Sequence, residues 1–272
     1  MNQHEKEIFD FSVSIFKENN SNFFNENFKL SHSERCIEIP WISSRLSKYK
    51  VRNLLDIGFT MASLDYLNFL LFLKKNGLDL SALDIINPER VKNRYPVELF
   101  NDVFSIPITL SDISVDNSFV NSYDAISLIS TIEHIGFDKA SYEDINSAFQ
   151  RELDPSAVKL FRDPEIDFKV LSNISKNLND NGYLFISAPI GKGGSVLLRD
   201  SLGLYTPQWE YESESWNRLI SHPNFTLLEQ FFFVNNKNGS WIEVHDVNMT
   251  KNSSSEMKSH AEGVALCLLK KN

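Results

Sequence analysis

Cysteine is scarce: the 272-residue sequence has two, Cys36 and Cys267. They lie far apart, match no metal-ligand spacing and sit beside apolar residues. They read as two buried, unpaired thiols of a reducing compartment, which excludes a disulfide framework. Long hydrophobic runs are absent as well. The longest, Leu67 to Leu73, is broken by Asn68 and is far too short to span a bilayer. Met1 to Glu7 is polar and mixed in charge, and no apolar stretch of the secretory kind follows, so a cytoplasmic location is expected. Triplets such as Asn224-Phe225-Thr226 then carry no glycosylation meaning. No run of Lys and Arg occurs, and the formal net charge is -9. An acidic surface repels phosphate backbones, so nucleic acid is not expected as the main partner.

Aromatics are what the chain has in quantity, with 21 Phe among 42% hydrophobic residues. That is enough for one substantial, aromatic-rich core. Glu5 to Phe16 reads as an amphipathic helix, followed by a polar stretch from Lys17 to Asn27. Ile37 to Trp41 precedes a short helix ending near Lys48. An alternating pattern begins at Val51. Strands are expected at 51–57, 80–86, 106–110, 123–129, 183–188, 227–234 and 264–269, with helices at 63–75 and 167–178. Gly77 ends the first of these helices, and Asn181-Gly182 reads as a turn. Strands alternating with helices give a doubly wound α/β fold. It has a mostly parallel seven-stranded sheet, helices on both faces and an antiparallel last strand. Residues 1–50 form an N-terminal helical cap segment. Residues 51–272 form the main domain, with insertions near 136–165, 191–222 and 235–262.

In an open parallel sheet, ligands bind beyond the carboxyl ends of the strands, where strand order reverses. Leu54-Leu55-Asp56-Ile57-Gly58 ends the first strand, and Gly58 permits a tight turn and close approach of a ligand. The helix that follows offers unpaired N–H groups. The dinucleotide pattern G-x-G-x-x-G is missing, because Thr60 and Ser63 occupy its second and third glycine positions. That argues against a nicotinamide or flavin oxidoreductase. Asp84 ends the second strand, where a carboxylate accepts hydrogen bonds from ribose hydroxyls; a turn or capping aspartate is the alternative. Asp112, in Leu110-Ser111-Asp112-Ile113, is placed to accept an exocyclic amine of adenine, or is a surface-loop aspartate.

Taken in order, these segments resemble the class I S-adenosylmethionine-dependent methyltransferase superfamily. Leu54 to Gly58 is similar to its motif I, and Asp84 to its acidic residue after strand two. Ser122-Tyr123-Asp124-Ala125-Ile126 through Glu133-His134-Ile135 is similar to its fourth-strand motif. Leu178-Asn179-Asp180-Asn181-Gly182 through Pro189 is similar to its post-motif turn. Glu38-Ile39-Pro40-Trp41, Glu133-His134-Ile135-Gly136 and Pro189 to Gly194 resemble members from bacterial surface-polysaccharide and secondary-metabolite gene clusters. The resemblance implies a Rossmann-like fold, S-adenosylmethionine as donor and S-adenosylhomocysteine as product. Donor contacts would come from Asp56, Gly58, Asp84, Asp112 and Ile113. The sequence departs from the pattern where Thr60 and Met61 follow Gly58, and where Asn179-Asp180-Asn181 replaces Lys-Pro-Gly.

Methyl transfer needs an aligned acceptor and, for a hydroxyl, removal of a proton. His134 is the candidate base, since imidazole works near neutral pH; packing or capping is its alternative role. Glu133 binds the methionine amino group, orients His134, or faces solvent. His245 and Asp246 could join that pair at a metal, but no ligand spacing supports it and no metal is expected. Lys192 and Arg199 are candidates for pairing with an anionic acceptor, and Trp209 and Tyr211, with Trp216, for stacking on a sugar face. The expected acceptor is a small polar molecule, a sugar or sugar nucleotide. The leading helix covers the site or makes a homodimer contact. The competing reading is a catalytically inactive scaffold that keeps the fold.

Overall fold

The computed structural model describes residues 1–28, 32–115, 122–137, 160–199, 205–236, 240–256 and 258–272. Helix α1 (Gln3–Glu18) opens on a capping box: the Asn2 side chain accepts the Glu5 amide at 2.9 Å, and the Glu5 carboxylate accepts the Asn2 amide at 2.6 Å. Its buried stripe, Ile8, Ser12 and Ile15, packs against α2 (Arg35–Lys48) and α3 (Leu64–Lys75). The apolar face of the leading helix is thus covered within the chain. Ile37 to Trp41 lies inside α2 rather than ahead of it, despite Pro40. Cys36 through Leu46 is wholly buried, and packing on that scale outweighs one missing helix hydrogen bond.

Strands β1 (Asn53–Ile57), β2 (Asp79–Asp84), β3 (Ile108–Leu110), β4 (Tyr123–Ile129) and β5 (Leu178–Pro189) run parallel. Helices α4 (Val97–Val103) and α5 (Ile166–Asn177) lie in the crossovers. β8 (Phe225–Asn235) and β10 (Gly263–Lys271) complete the core of the sheet, with β10 antiparallel to both β5 and β8. The order is β3-β2-β1-β4-β5-β10-β8, with an eighth strand at the β8 edge. This is the doubly wound, Rossmann-like architecture expected, with one more strand than the seven counted in the sequence. The extra edge strand, β9 (Trp241–Val244), comes from the 235–262 insertion. The insertion near 191–222 holds a separate hairpin, β6 (Gly194–Arg199) and β7 (Tyr205–Glu210), followed by helix α6 (Ser213–Ile220). Pro207 sits within β7, which a two-stranded ribbon tolerates because each strand has an unpaired edge. Most of the 136–165 insertion falls outside the described residues.

Side chains alternate across the sheet. Leu54, Leu266 and Leu268 join Ile8, Trp41 and Phe69 on one face; Leu55, Ala265 and Cys267 join Val170 and Trp216 on the other. The Asn181-Gly182 turn survives as an irregularity inside β5. Pairing with β4 jumps from Tyr123↔Leu178 to Ala125↔Tyr183, and Asn181 adopts φ 63°. Both cysteines are free and buried, and burial pushes both thiols up from their ordinary pKa. Among the described residues, no helix is long and apolar enough to cross a membrane.

Candidate functional site

Strand order reverses between β1 and β4, so the crevice beyond their carboxyl ends is where a ligand is expected. Gly58 follows β1 there with φ 86°. A Cβ at this position would run into the Thr131 side chain, whose hydroxyl donates to the Ile57 carbonyl at 3.0 Å. Both the positive φ and the close approach demand glycine. The next residues form a single 3₁₀ turn, Phe59–Met61. Asp84 grips it: one carboxylate oxygen accepts the Thr60 amide and the other the Ile86 amide, each at 2.9 Å. The Tyr95 hydroxyl donates to the carbonyl of Thr60 at 2.9 Å. Thr60, at the position of the missing second glycine, is wholly buried.

The other acidic residues fare differently. Asp112 is exposed and caps its own turn, accepting from the Ser114 amide at 2.9 Å and hydroxyl at 2.6 Å. Ile113 is core, its carbonyl accepting from Asn173 at 2.8 Å. Asp56 is buried beneath the glycine turn. Its Oδ1 accepts from Tyr66 at 2.6 Å and Ser127 at 2.5 Å, while Oδ2 is buried without a hydrogen-bond partner. Burial raises its pKa to about 7, against the pull of the two hydroxyls. Large apolar side chains stand exposed beside these residues, Ile85 at 68% directly after Asp84 and Leu110, its neighbour's partner in β3, at 53%.

Beyond β4 the backbone is strained. Ser130 takes φ 46°, a left-handed conformation uncommon for a residue other than glycine. Its amide donates to the Ser187 hydroxyl at 2.9 Å, and its own hydroxyl donates to Glu38 Oε1 at 2.8 Å. Glu38 Oε2 accepts from Arg35 at 2.7 Å. Around this guanidinium lie Glu34, Asp65 and Glu133, and the Glu38 carboxylate is the largest of the influences that keep it charged against the cost of burial. Glu34 Oε2 and Glu133 Oε2 are buried with no hydrogen-bond partner. Burial raises both carboxyls, and repulsion from Glu38 adds to it; Glu133 rises well above the ordinary range. Glu38 and Ser130 stand in the sequence only as members of motifs, and neither Glu34 nor Arg35 was singled out from it. The available signal was three charged residues pressed against Ile37, Ile39 and Trp41.

His134 ends the turn that follows. Its Nδ1 lies 2.8 Å from the Pro207 carbonyl. A carbonyl only accepts, so the proton sits on Nδ1 and Nε2 carries the lone pair. Burial lowers the pKa, which keeps the ring neutral. Glu133 Oε1 is 3.9 Å from Nε2. Arg162, also missed, fixes the turn from below, donating to the carbonyls of Ile132 at 2.9 Å and Ile135 at 2.8 Å. It pairs with Asp167 at 2.6 Å, which also accepts from the Tyr211 hydroxyl at 3.1 Å. Tyr211 is therefore a fully buried brace and not a stacking surface. Trp209 is half-buried, with the Arg162 guanidinium 5.4 Å from its ring. Lys192 and Arg199 are exposed. β6 separates them, its ends being about 16 Å apart at ~3.3 Å per residue, so they do not share one site. The Arg199 guanidinium lies over the Tyr205 ring.

No family model matches the chain, and no curated protein does. Several solved structures do. An S-adenosylmethionine-dependent methyltransferase from Clostridium acetobutylicum ATCC 824 is 12% identical, covering 97% of this chain and 98% of its own, with a TM-score of 0.46. The 1,6-didemethyltoxoflavin-N1-methyltransferase of Burkholderia thailandensis, solved with 1,6-didemethyltoxoflavin and S-adenosylhomocysteine, is 13% identical over 100% and 91%, with a TM-score of 0.47. The N-methyltransferase NodS of Bradyrhizobium japonicum WM9, with S-adenosylhomocysteine, is 14% identical over 96% and 98%, with a TM-score of 0.45.

Proposed function

We propose that the chain is an S-adenosylmethionine-dependent methyltransferase whose donor binds at the carboxyl ends of β1 and β4. The observation that carries this reading is the pair of buried, unpartnered carboxylate oxygens on Glu133 and Glu34; Glu133 lies two residues beyond Thr131, whose side chain packs over Gly58. A buried acidic cluster with a single arginine ionises fully only when a further cation joins it. The donor supplies an ammonium and a sulfonium, and the sulfonium carries an electrophilic methyl group. Arg35 is suited to the methionine carboxylate and Glu133 to the ammonium. Exposed Ile85 and Leu110 offer apolar support for a base. Asp84 retains lone pairs for ribose beyond those taken by the two amides, and Asp112 stays the candidate for the adenine amine.

The acceptor in this reading is a small polar molecule with an O–H to deprotonate, a sugar or a surface-polysaccharide or secondary-metabolite precursor. His134 serves as base through Nε2, its ring held by Pro207 and its turn by Arg162. Trp209 remains a candidate for acceptor contact, with either Lys192 or Arg199, but not both, beside it. A second reading, a scaffold that has lost the donor, is favoured by one observation: Asp84 already spends both oxygens on Thr60 and Ile86. Calorimetry with S-adenosylmethionine and S-adenosylhomocysteine separates the two. Micromolar binding supports the enzyme, and folded protein that binds neither supports the scaffold.

A further inference from the structure

The first turn of α1 carries His4 and Glu7 at the i, i+3 spacing that places two side chains on one helix face. His32, twenty-five residues beyond Glu7, folds back onto them just before α2. Its Nε2 lies 3.0 Å from Glu7 Oε2, and His4 Nδ1 lies 3.9 Å from the same oxygen. The two imidazoles meet edge to face, with centroids 4.6 Å apart. His4 Nδ1 is buried without a hydrogen-bond partner although its side chain is 44% exposed. One ligand atom from each residue falls within 4.8 Å of the other two. None of the three takes part in the site described above.

We propose that His4, Glu7 and His32 bind one divalent transition-metal ion, Zn²⁺, as a clip between the first turn of α1 and the segment entering α2. Two imidazoles and a carboxylate are a zinc donor set, and a tetrahedral ion at ~2.1 Å wants its ligands ~3.4 Å apart. The present separations bracket that value, and the two solvent-facing side chains, His4 and Glu7, have room to close on the ion. Binding exchanges the proton on His32 Nε2 for the metal and releases it to solvent. The fourth position is left to water. Since the His32 carbonyl accepts from Trp241 Nε1 at 3.0 Å, the ion also reports to a tryptophan. Arg35 stands three residues beyond His32, so the clip fastens the strand of chain that delivers the Arg35–Glu38 pair.

The test is titration of the metal-free full chain with Zn²⁺ alone, by calorimetry and by tryptophan fluorescence, on wild type, His4→Ala and Glu7→Gln. Both substitutions fall on partly exposed side chains, and circular dichroism checks that the fold is kept. The expected result is one ion per chain with micromolar affinity, a Zn²⁺-dependent rise in Tm, and affinity at least about tenfold weaker in either variant. Wild-type binding weaker than roughly 100 µM, or binding equally tight in both folded variants, overturns the assignment. The latter result would place the ion on another histidine.

Discussion

Glu133 gives the most demanding test of the donor site. Burial, with repulsion from Glu38, holds its carboxyl well above the usual range. In the free protein it is therefore protonated at pH values where an exposed glutamate is ionised. A bound ammonium favours the ionised form, so donor binding must expel this proton. Affinity then rises with pH until the free-protein pKa is reached, by up to tenfold per unit, or about 1.4 kcal/mol for each. Between pH 6 and 8 the gain is bounded at about 100-fold per group by the same arithmetic. The assay is calorimetric titration with S-adenosylmethionine in two buffers of different ionisation enthalpy. The buffer dependence gives the number of protons released, which should approach one and exceed it if Glu34 joins. Glu133→Gln should bind more weakly above pH 7 and lose most of the pH dependence. S-adenosylhomocysteine keeps the ammonium and should release the same proton. A flat pH profile with no buffer dependence, in protein that does bind the donor, would refute the placement of the ammonium at Glu133.

Three further outcomes follow from the geometry. Gly58→Ala forces a left-handed alanine against Thr131; urea denaturation should show a loss of roughly 1–3 kcal/mol, with donor binding gone. Asp56 has a folded-state pKa of about 7 against an ordinary 3.8, so the unfolded chain ionises first. Stability from this group is full below pH 4 and falls by on the order of 4 kcal/mol as pH climbs to 7. Asp56→Asn should flatten that slope in a Tm-against-pH series and raise Tm near pH 7; an unchanged slope contradicts the burial argument. Arg162→Met leaves Asp167 uncompensated and frees the turn that carries His134, costing about 3–5 kcal/mol in chemical denaturation.

The strands and helices of the sheet were legible because each carries its period in the sequence. Leu54 and Leu55 split between two faces, and β4 falls at Tyr123–Ile129, the span the sequence pattern predicts. The hairpin of β6 and β7 was not, since its pattern is interrupted by Pro207 and a two-stranded ribbon has little core to imprint on it. Positions after strands were legible as positions, so Gly58, Asp84, Glu133 and His134 do converge on one end of the sheet. Their partners were not. Whether Asp84 faces a ligand or two backbone amides depends on the path of residues 60 and 86, which no local pattern encodes. Tyr211, read as a stacking surface, is pinned by Asp167, a contact made across 44 residues.

Residues 1–50 were read as a helical cap segment whose leading helix covers the site or makes a dimer contact, yet α2 brings charged side chains to the end of β4. Arg35 and Glu38 come from its first turn and Glu34 from its N-cap, and Ser130, from the strained end of β4, hydrogen-bonds directly to Glu38. A positive φ at Ser130 costs on the order of 1–3 kcal/mol and persists only where the surroundings over-determine it. Here three contacts do so: two with Ser187 and one with Glu38. The strain therefore couples the carboxyl end of β4 to the position of α2. In the proposed function, recognition of charge, which a glycine-rich loop would supply through backbone amides, falls instead to buried side chains from two elements. The lone glycine of the turn is consistent with that division. Asp84 and Tyr95 immobilise the Thr60 turn, which in that proposal leaves the acidic cluster to bind the cation.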